Sequence, residues 1–338
     1  MTLSSRPWRY ARGRTKLVTV LAAFAIFAGF MAPREAHAQK KVQFGTLAPK
    51  QSIWGTVFQV WEKAVNKKSD GKLELIFHYN GSQGDEGAMV GKIKAGQLDG
   101  GAVTAVGLSK YYKPVLAMQM PGVLNTWGKV DKAIASVGGE FSDGLKKEGA
   151  YNLGWGFVGM AHIFSKGGAV ASPTDLKKRK PYQWRDDIIS PVFYQVVGAT
   201  PVLLNVPEVL PNLKTGAIDV INSPALAVEA LQWSGHVTHV SKEITGPGIG
   251  ALIMNNSKLE DLPGDLRTIM KDTGAIAAKA LTEKIKAEDT AAYDRMSKKM
   301  TVFELDKSYT GIFQKVRERL GQGTFKPELV QKIEAAGK

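Results

Sequence analysis

The stretch KVQFGTLAPKQSIWGTVFQVWEKAVNKK, residues 41–68, changes its hydrophobic period partway through. KVQFGTL (41–47) reads as a strand. WGTVFQVWEKAVNKK (54–68) reads as a helix with Val57, Val60, Trp61 and Ala64 on one face. Asp70-Gly71 marks a turn, and KLELIFHY (72–79) alternates as a second strand. In NGSQGDEGAMVGKIKAGQLDG (80–100) the spacing predicts a helix over 85–96, with Met89, Val90 and Ile93 buried and Gly96 near its end. Ser82-Gln83-Gly84-Asp85 fits a capping box, and the acids Asp85 and Glu86 suit the positive end of the helix dipole. GGAVTAV (100–106) adds a short apolar strand. This β-α-β-α-β order favours a mostly parallel sheet with helices on its faces.

A second block repeats the alternation. YNLGWGFV (151–158) and AHIFSK (161–166) read as strands, and Ser172-Pro173-Thr174-Asp175-Leu176 as a helix start. A short strand near 181–184 precedes a helix over 191–197, then an extended 201–204, a helix over 206–215 and a strand in AIDVINSP (217–224). GIGALIMNN (248–256) is a strand, and 263–299 has long helical periodicity. MTVFEL (300–305), a helix near 308–320 and a short terminal helix complete the chain. Two α/β blocks with several crossings imply two lobes and a cleft.

The N-terminus is expected to leave the fold. Arg6, Arg9, Arg12, Arg14 and Lys16 precede an apolar run of 15 residues, Leu17–Met31, and Ala36-His37-Ala38 forms a cleavage signature. The run is short of the roughly 20 residues a membrane span needs, so residues 1–38 read as a signal peptide removed after Ala38. Six of the 45 basic residues and one of the 31 acidic residues lie before Gln39, leaving 39 against 30, a net charge of +9. The lysines are scattered, with no Arg/aromatic stripe, and nucleic acid is not an expected partner. With no cysteine, disulfides and thiol catalysis are excluded.

Enzymatic motifs are missing: there is no HExxH, GxSxG or P-loop. Gly154-Trp155-Gly156-Phe157-Val158-Gly159 matches GxGxxG, but MAHIFSK after it reads as strand, so no helix N-terminus would face a pyrophosphate. His236 and His239 sit in the polar connection SGHVTHVSKE without a carboxylate cluster, and His162 reads as a core or hinge histidine. Asp85 and Glu86 have no second acid spaced for acid/base work. Neither a cofactor nor a metal is expected.

Four ordered segments carry a family resemblance: FGTLAPKQSIWG (44–55), NGSQGDEGAMVGKIKAGQLDGGAVTAVGLS (80–109), LGWGFVGMAHIFSKGGAVASPTDLKKRK (153–180) and VGATPVLLNVPEVLPNLKTGAIDVINSP (197–224). Over nearly its full mature length the chain resembles the DctP-type solute receptors of TRAP transporters, extracellular solute-binding protein family 7. The resemblance implies a two-lobed α/β periplasmic binding protein fold with a ligand cleft between lobes and a long bracing helix, which 263–299 fits. It implies lobe one over 39–159 with 249–290 returning to it, and lobe two over 160–248 with 291–338 returning. It also implies a non-catalytic periplasmic receptor that closes by hinge motion on a small molecule and delivers it to TRAP membrane permease subunits. An exported enzyme or a ligand-sensing subunit on the same scaffold is the alternative.

The same resemblance places Asp85 and Glu86 as capping and cleft-rim groups, and locates two departures. Tyr182 falls where the family pattern after D-L-K-G carries an arginine that forks onto a carboxylate. Ala161-His162 stands where a second arginine is frequent on the crossover strand, and Ser223, with Asn222 ahead of it, corresponds to the family's asparagine before proline. The expected contacts are Trp54, Gln83, Asp85 and Thr104 from lobe one, and Tyr182, Trp184, Arg185, Asn222 and Ser223 from lobe two. Trp54, Tyr182 and Trp184 offer flat faces and donors that suit a neutral or aromatic ligand, while Arg185 keeps an organic acid open.

Overall fold

The computed structural model describes residues 1–2 and 39–338, so the expected leader and its cleavage site lie outside the described residues. Strands β1 (Lys40–Thr46), β2 (Leu73–His78) and β3 (Gly100–Thr104) run parallel with β1 in the middle, Phe44 facing Phe77 on one side and Gly100 on the other. Helices α1 (Ile53–Lys68) and α2 (Glu86–Lys94) connect them. Ser52 caps α1, its hydroxyl accepting the Gly55 N–H at 3.2 Å. The buried face of α1 is Trp54, Val57, Phe58, Trp61 and Val65, and Val60 points to solvent. The stripe is rotated from the expected one because the Phe58 ring stacks on Phe77 at 4.4 Å.

Helix α2 begins after Asp85, not after Ser82: Asp85 Oδ1 accepts the Glu86 N–H at 2.8 Å, and Gly84, at φ +96°, turns the chain just ahead of it. Met89, Val90 and Ile93 form its buried face as expected. The chain continues through α3 (Ala105–Leu108), a 3-10 segment over Lys113–Gln119, and α4 (Trp127–Lys147). The 21-residue α4 was not expected, since Gly128, Gly138, Gly139 and Gly144 weaken its propensity. Its stripe of Val130, Ala133, Val137, Phe141 and Leu145 is nonetheless buried, and Gly144 is needed because a Cβ there would lie 2.6 Å from the Tyr112 ring.

The two strands expected over 151–166 are one, β4 (Ala150–Ser165), so the GxGxxG run lies inside a strand and leads into no helix. Beyond it follow α5 (Pro173–Lys177), β5 (Tyr182–Trp184), α6 (Ser190–Val197), β6 (Val202–Leu204), α7 (Val206–Thr215), β7 (Val220–Pro224) and α8 (Ala225–Ala230). Next come β8 (His239–Ser241), β9 (Gly246–Asn255), α9 (Asn256–Glu260), α10 (Gly264–Ser297), β10 (Thr301–Phe303), α11 (Ser308–Gly323) and α12 (Pro327–Ala336). The connection holding His236 and His239 is not all loop, for β8 pairs in parallel with β10. Among the described residues no group of three or more potential metal ligands gathers.

The main sheet runs β10-β8-β4-β9-β3-β1-β2, with β7 also on β4. Antiparallel pairing of β4 with β9, from Ala150↔Asn255 to Ala161↔Gly246, carries this sheet from the β1–β3 lobe into the second. The pair is irregular at Asn152/Gly154 and Phe157/Gly159. The 34 residues of α10, about 51 Å of helix, brace both lobes. On the first side Trp61 Nε1 donates to Thr273 Oγ1 at 2.9 Å. In the middle the Asp289 carboxylate accepts the Met160 N–H at 2.7 Å and the Leu226 N–H at 3.0 Å. On the far side Arg295 pairs with Glu229 on α8 at 2.6 Å. Helix α11 rests on α6 through Phe313 and Phe193, whereas α12 meets α4, where Lys332 reaches Glu140 at 3.0 Å.

His162 is buried on β4, its ring stacked on Tyr293 of α10 at 4.3 Å. Nδ1 lies 3.0 Å from the Ser241 carbonyl, so Nδ1 carries the proton and donates. Burial pushes the imidazole pKa down to about 4. The unfolded chain therefore takes up a proton below about pH 6.5 that the native state refuses until about pH 4. The neutral ring's contribution is present above that window and is lost as pH falls through it. Urea unfolding at pH 7 and pH 4.5 should show wild type losing up to about 3 kcal/mol relative to His162→Gln. Asp289 and Glu86, whose raised pKa values act in the opposite direction, are common to both proteins and cancel. Equal pH slopes in the two proteins would refute the buried neutral imidazole.

Candidate ligand-binding cleft

A cavity of about 320 Å³ opens between the lobes, walled by the ends of β1 and β3, by α1, by β5, α6 and β7, and by the crossing strands β4 and β9. Its size is at the lower end of small-molecule sites, roughly 300–1,000 Å³. Of the sequence-predicted contacts, Trp54, Thr104, Tyr182, Trp184, Asn222 and Ser223 line it. Gln83, Asp85 and Arg185 do not.

Each placement has a local cause. Trp54 sits in the first turn of α1 with its indole N–H donating to the Phe157 carbonyl at 3.1 Å, which leaves the ring as an apolar wall. Thr104 ends β3 and caps α3, accepting the Val106 N–H at 3.2 Å. Glu86 is not a rim group but fully buried: its carboxylate accepts the Thr104 N–H, the Thr104 hydroxyl and the Gly107 N–H, each at 2.8 Å. Burial pushes its pKa up to about 8 against the pull of those donors. Its structural task is to seat β3 and α3 where they form the first-lobe wall.

Asp85 is turned from the cavity to the lobe boundary. While Oδ1 caps its own helix, Oδ2 accepts the Trp184 indole N–H at 2.8 Å and the Val206 N–H at 3.0 Å. One first-lobe carboxylate thus holds β5 and the start of α7 on the second lobe. Burial raises its pKa, opposed by its bonds from Glu86, Trp184 and Val206. Close by, Lys110 and Asp186 pair across the same boundary at 2.8 Å. Gln83 accepts from Lys92 Nζ at 2.9 Å, which folds it back onto its own helix.

Tyr182 and Trp184 on β5 line the cavity, and Arg185, one residue past the strand, is exposed, its Nη2 donating to the Leu203 carbonyl at 3.1 Å. The Tyr182 ring meets Trp233 edge-on at 6.4 Å, and its buried hydroxyl has no hydrogen-bond partner. Burial, with Asp85 and Asp187 nearby, raises its pKa, so it stays a phenol. Asn222 Oδ1 accepts from the Thr245 hydroxyl at 2.8 Å. Ser223 is buried and at most weakly bonded, its hydroxyl 3.5 Å from the Pro224 carbonyl.

Sequence reasoning missed Trp233, Phe193 and Ser190, which also line the cavity. Ser190 Oγ, like the Tyr182 hydroxyl, is buried without a partner. Phe193 belongs to the α6 pattern, but nothing in the sequence distinguishes a cavity face from a core face there. Among the described residues lining the cavity, Glu86 and Asp187 are the acidic ones, and no lysine, arginine or histidine is present. Asp187 is already occupied by the Ile189 and Ser190 N–H groups at 2.8 and 3.2 Å. The site can therefore enclose an apolar body and hydrogen-bond to it, but brings no cation to bear on it.

The sequence matches the family of bacterial extracellular solute-binding proteins, family 7 (DctP), over residues 44–326. A curated solute-binding protein from Chromohalobacter salexigens is 22% identical over 167 residues, so the match spans about half of each chain, 49% of this one and 49% of the relative. Solved structures share the fold at low identity. A TRAP periplasmic solute-binding protein from Shewanella oneidensis with bound succinate superposes with TM-score 0.82 at 18% identity, covering 89% of this chain and 100% of that one. The sugar-acid-binding protein of Advenella mimigardefordensis with galactonate gives TM-score 0.81 at 15% identity, over 88% and 98% of the chains. A TRAP periplasmic solute-binding protein from Chromohalobacter salexigens with D-glucuronate gives 0.79 at 18% identity, over 87% and 99%. A family match over most of the chain, on a two-lobed α/β frame braced by one long helix, makes this protein a member of the bacterial extracellular solute-binding proteins of family 7.

Proposed function

We propose that this chain is the periplasmic receptor of a TRAP transporter. It closes two lobes around a small organic molecule, without altering it, and presents the closed form to the membrane permease subunits. The observation that carries this reading is a cavity walled by both lobes, with the Asp85 carboxylate bonded across the boundary beside it. Hinge closure needs contacts that exist only in the closed state, and Asp85 to Trp184 and Val206 are of that kind.

The lobes in this reading are 39–159 with 249–290, and 160–248 with 291–326; the α12 segment is assigned to the first lobe because of its contact with α4. The hinge lies where the crossing strands are irregular. Gly159, at φ +134°, faces Gly248, and a Cβ on Gly159 would collide with the Asp289 carboxylate.

Two measurements check this reading. The mature chain, one compact unit over Gln39–Lys338, is screened by thermal shift against a metabolite collection, and any stabilising compound is recovered for mass spectrometry. Recovery unaltered is expected; conversion to a product would make the protein an enzyme. Separately, Asp85→Asn places an amide donor against the Trp184 or Glu86 N–H groups. It should shift the closed-to-open ratio by about 30-fold, the equivalent of about 2 kcal/mol. Because the chain has no cysteine, cysteines introduced at the exposed Lys68 and Lys214 allow spin-label distances between α1 and α7 to be read directly. A distance distribution identical to that of the unmutated background would sink the latch.

A further inference from the structure

We propose that the cleft selects an uncharged, largely apolar ring compound bearing one or two hydrogen-bonding atoms, and rejects carboxylates. The inference rests on reading the cavity as the receptor's ligand site, and narrows that reading to a ligand class.

Three observations converge on it. The first is the wall. Trp54, Trp184, Trp233, Phe157 and Phe193 surround the space, and the Trp54 and Trp184 indole N–H groups are spent on the Phe157 carbonyl and on Asp85. Trp54, Trp184 and the two phenylalanines therefore meet a ligand with faces and edges, not with donors, which suits a flat apolar body.

The second is charge. No basic side chain lines the cavity among the described residues, and its acids are Glu86 and Asp187. A ligand carboxylate would give up its hydration without gaining a cation, and would sit near two protein acids. Arg185, the nearest candidate by sequence, is held away from the cavity by the Leu203 carbonyl. An ammonium ligand is also disfavoured, because Glu86 already accepts three protein hydrogen bonds and Asp187 two.

The third is a pair of orphaned hydroxyls. Tyr182 OH and Ser190 Oγ are buried at the cavity and have no hydrogen-bond partner. Buried polar atoms are rarely left unpaired in native proteins. Two such atoms on one wall mark where a ligand's polar edge is received, the Tyr182 phenol donating and the Ser190 hydroxyl free to donate or accept.

A charge series on constant rings tests the proposal in the mature protein. The probes are benzyl alcohol, benzoate and benzylammonium, with 2-naphthylmethanol, 2-naphthoate and 2-naphthylmethylammonium as the bicyclic set, and succinate and D-glucuronate as plain acids. Binding is followed by calorimetry and by tryptophan fluorescence, to which Trp54, Trp184 and Trp233 report. The expected order is alcohol above its carboxylate and its ammonium by about tenfold or more. Tyr182→Phe, which keeps the ring and the fold, should weaken the best alcohol by about tenfold. Tighter binding of any carboxylate, succinate and D-glucuronate included, would overturn the ligand class while leaving the receptor reading intact. So would tighter binding of an ammonium. An alcohol that binds equally well to Tyr182→Phe overturns the assignment of the polar edge. If neither alcohols nor acids bind at millimolar concentration, the proposal and the receptor reading fall together.

Discussion

Antiparallel pairing of β4 with β9 is the constraint on which the rest of this structure depends. Because these two strands belong to both lobes, the lobes cannot separate without breaking backbone hydrogen bonds; they can only bend about the shared pair. In the proposed receptor the hinge is placed where this ladder is irregular, between Phe157 and Gly159. Next to Gly159, whose φ is +134°, the Asp289 carboxylate accepts the Met160 N–H and also the Leu226 N–H at the start of α8. The long helix is thus tied to the crossing strand close to the place where flexion is easiest. Small residues make that contact close: a Cβ on Gly154 would run into Ala278.

Cavity chemistry follows from how the acidic groups are used. Asp85, Glu86 and Asp187 are the acidic side chains near the cleft, yet each is bound to backbone or side-chain donors of the protein itself. Asp85 links the lobes, Glu86 seats β3 and α3, and Asp187 caps the approach to α6. Charge is spent on architecture, and the wall is left to aromatic rings and a few hydroxyls. On that wall Tyr182 presents a phenol with no hydrogen-bond partner.

Most of the frame was legible in the sequence. Alternation in KLELIFHY and the helical face of α2 appear where the pattern puts them, because a half-buried strand and an amphipathic helix are dictated by nearest neighbours. The failures are instructive. Four glycines concealed α4, whose stability comes from packing Phe141 and Val137 into the core and not from propensity. Val60 was misassigned because the choice between two adjacent apolar stripes was made by Phe77, a residue on another element. Of the nine expected ligand contacts, Trp54, Thr104, Tyr182, Trp184, Asn222 and Ser223 lie on the cavity wall, while Gln83, Asp85 and Arg185 are directed elsewhere.

The sequence by itself determined most of the order of strands and helices, α4 and the continuity of β4 apart, together with the family and the absence of an arginine at position 182, since these depend on local pattern and residue identity. Only the tertiary structure decided which way each side chain faces. Arg185 is held away from the cavity by the Leu203 carbonyl, Asp85 is drawn to the lobe boundary by donors about 100 and 120 residues away, and Trp233 enters from just ahead of a connection that reads as polar. Hydrogen bonds and ring contacts between distant segments set those directions, and no window of sequence contains both partners.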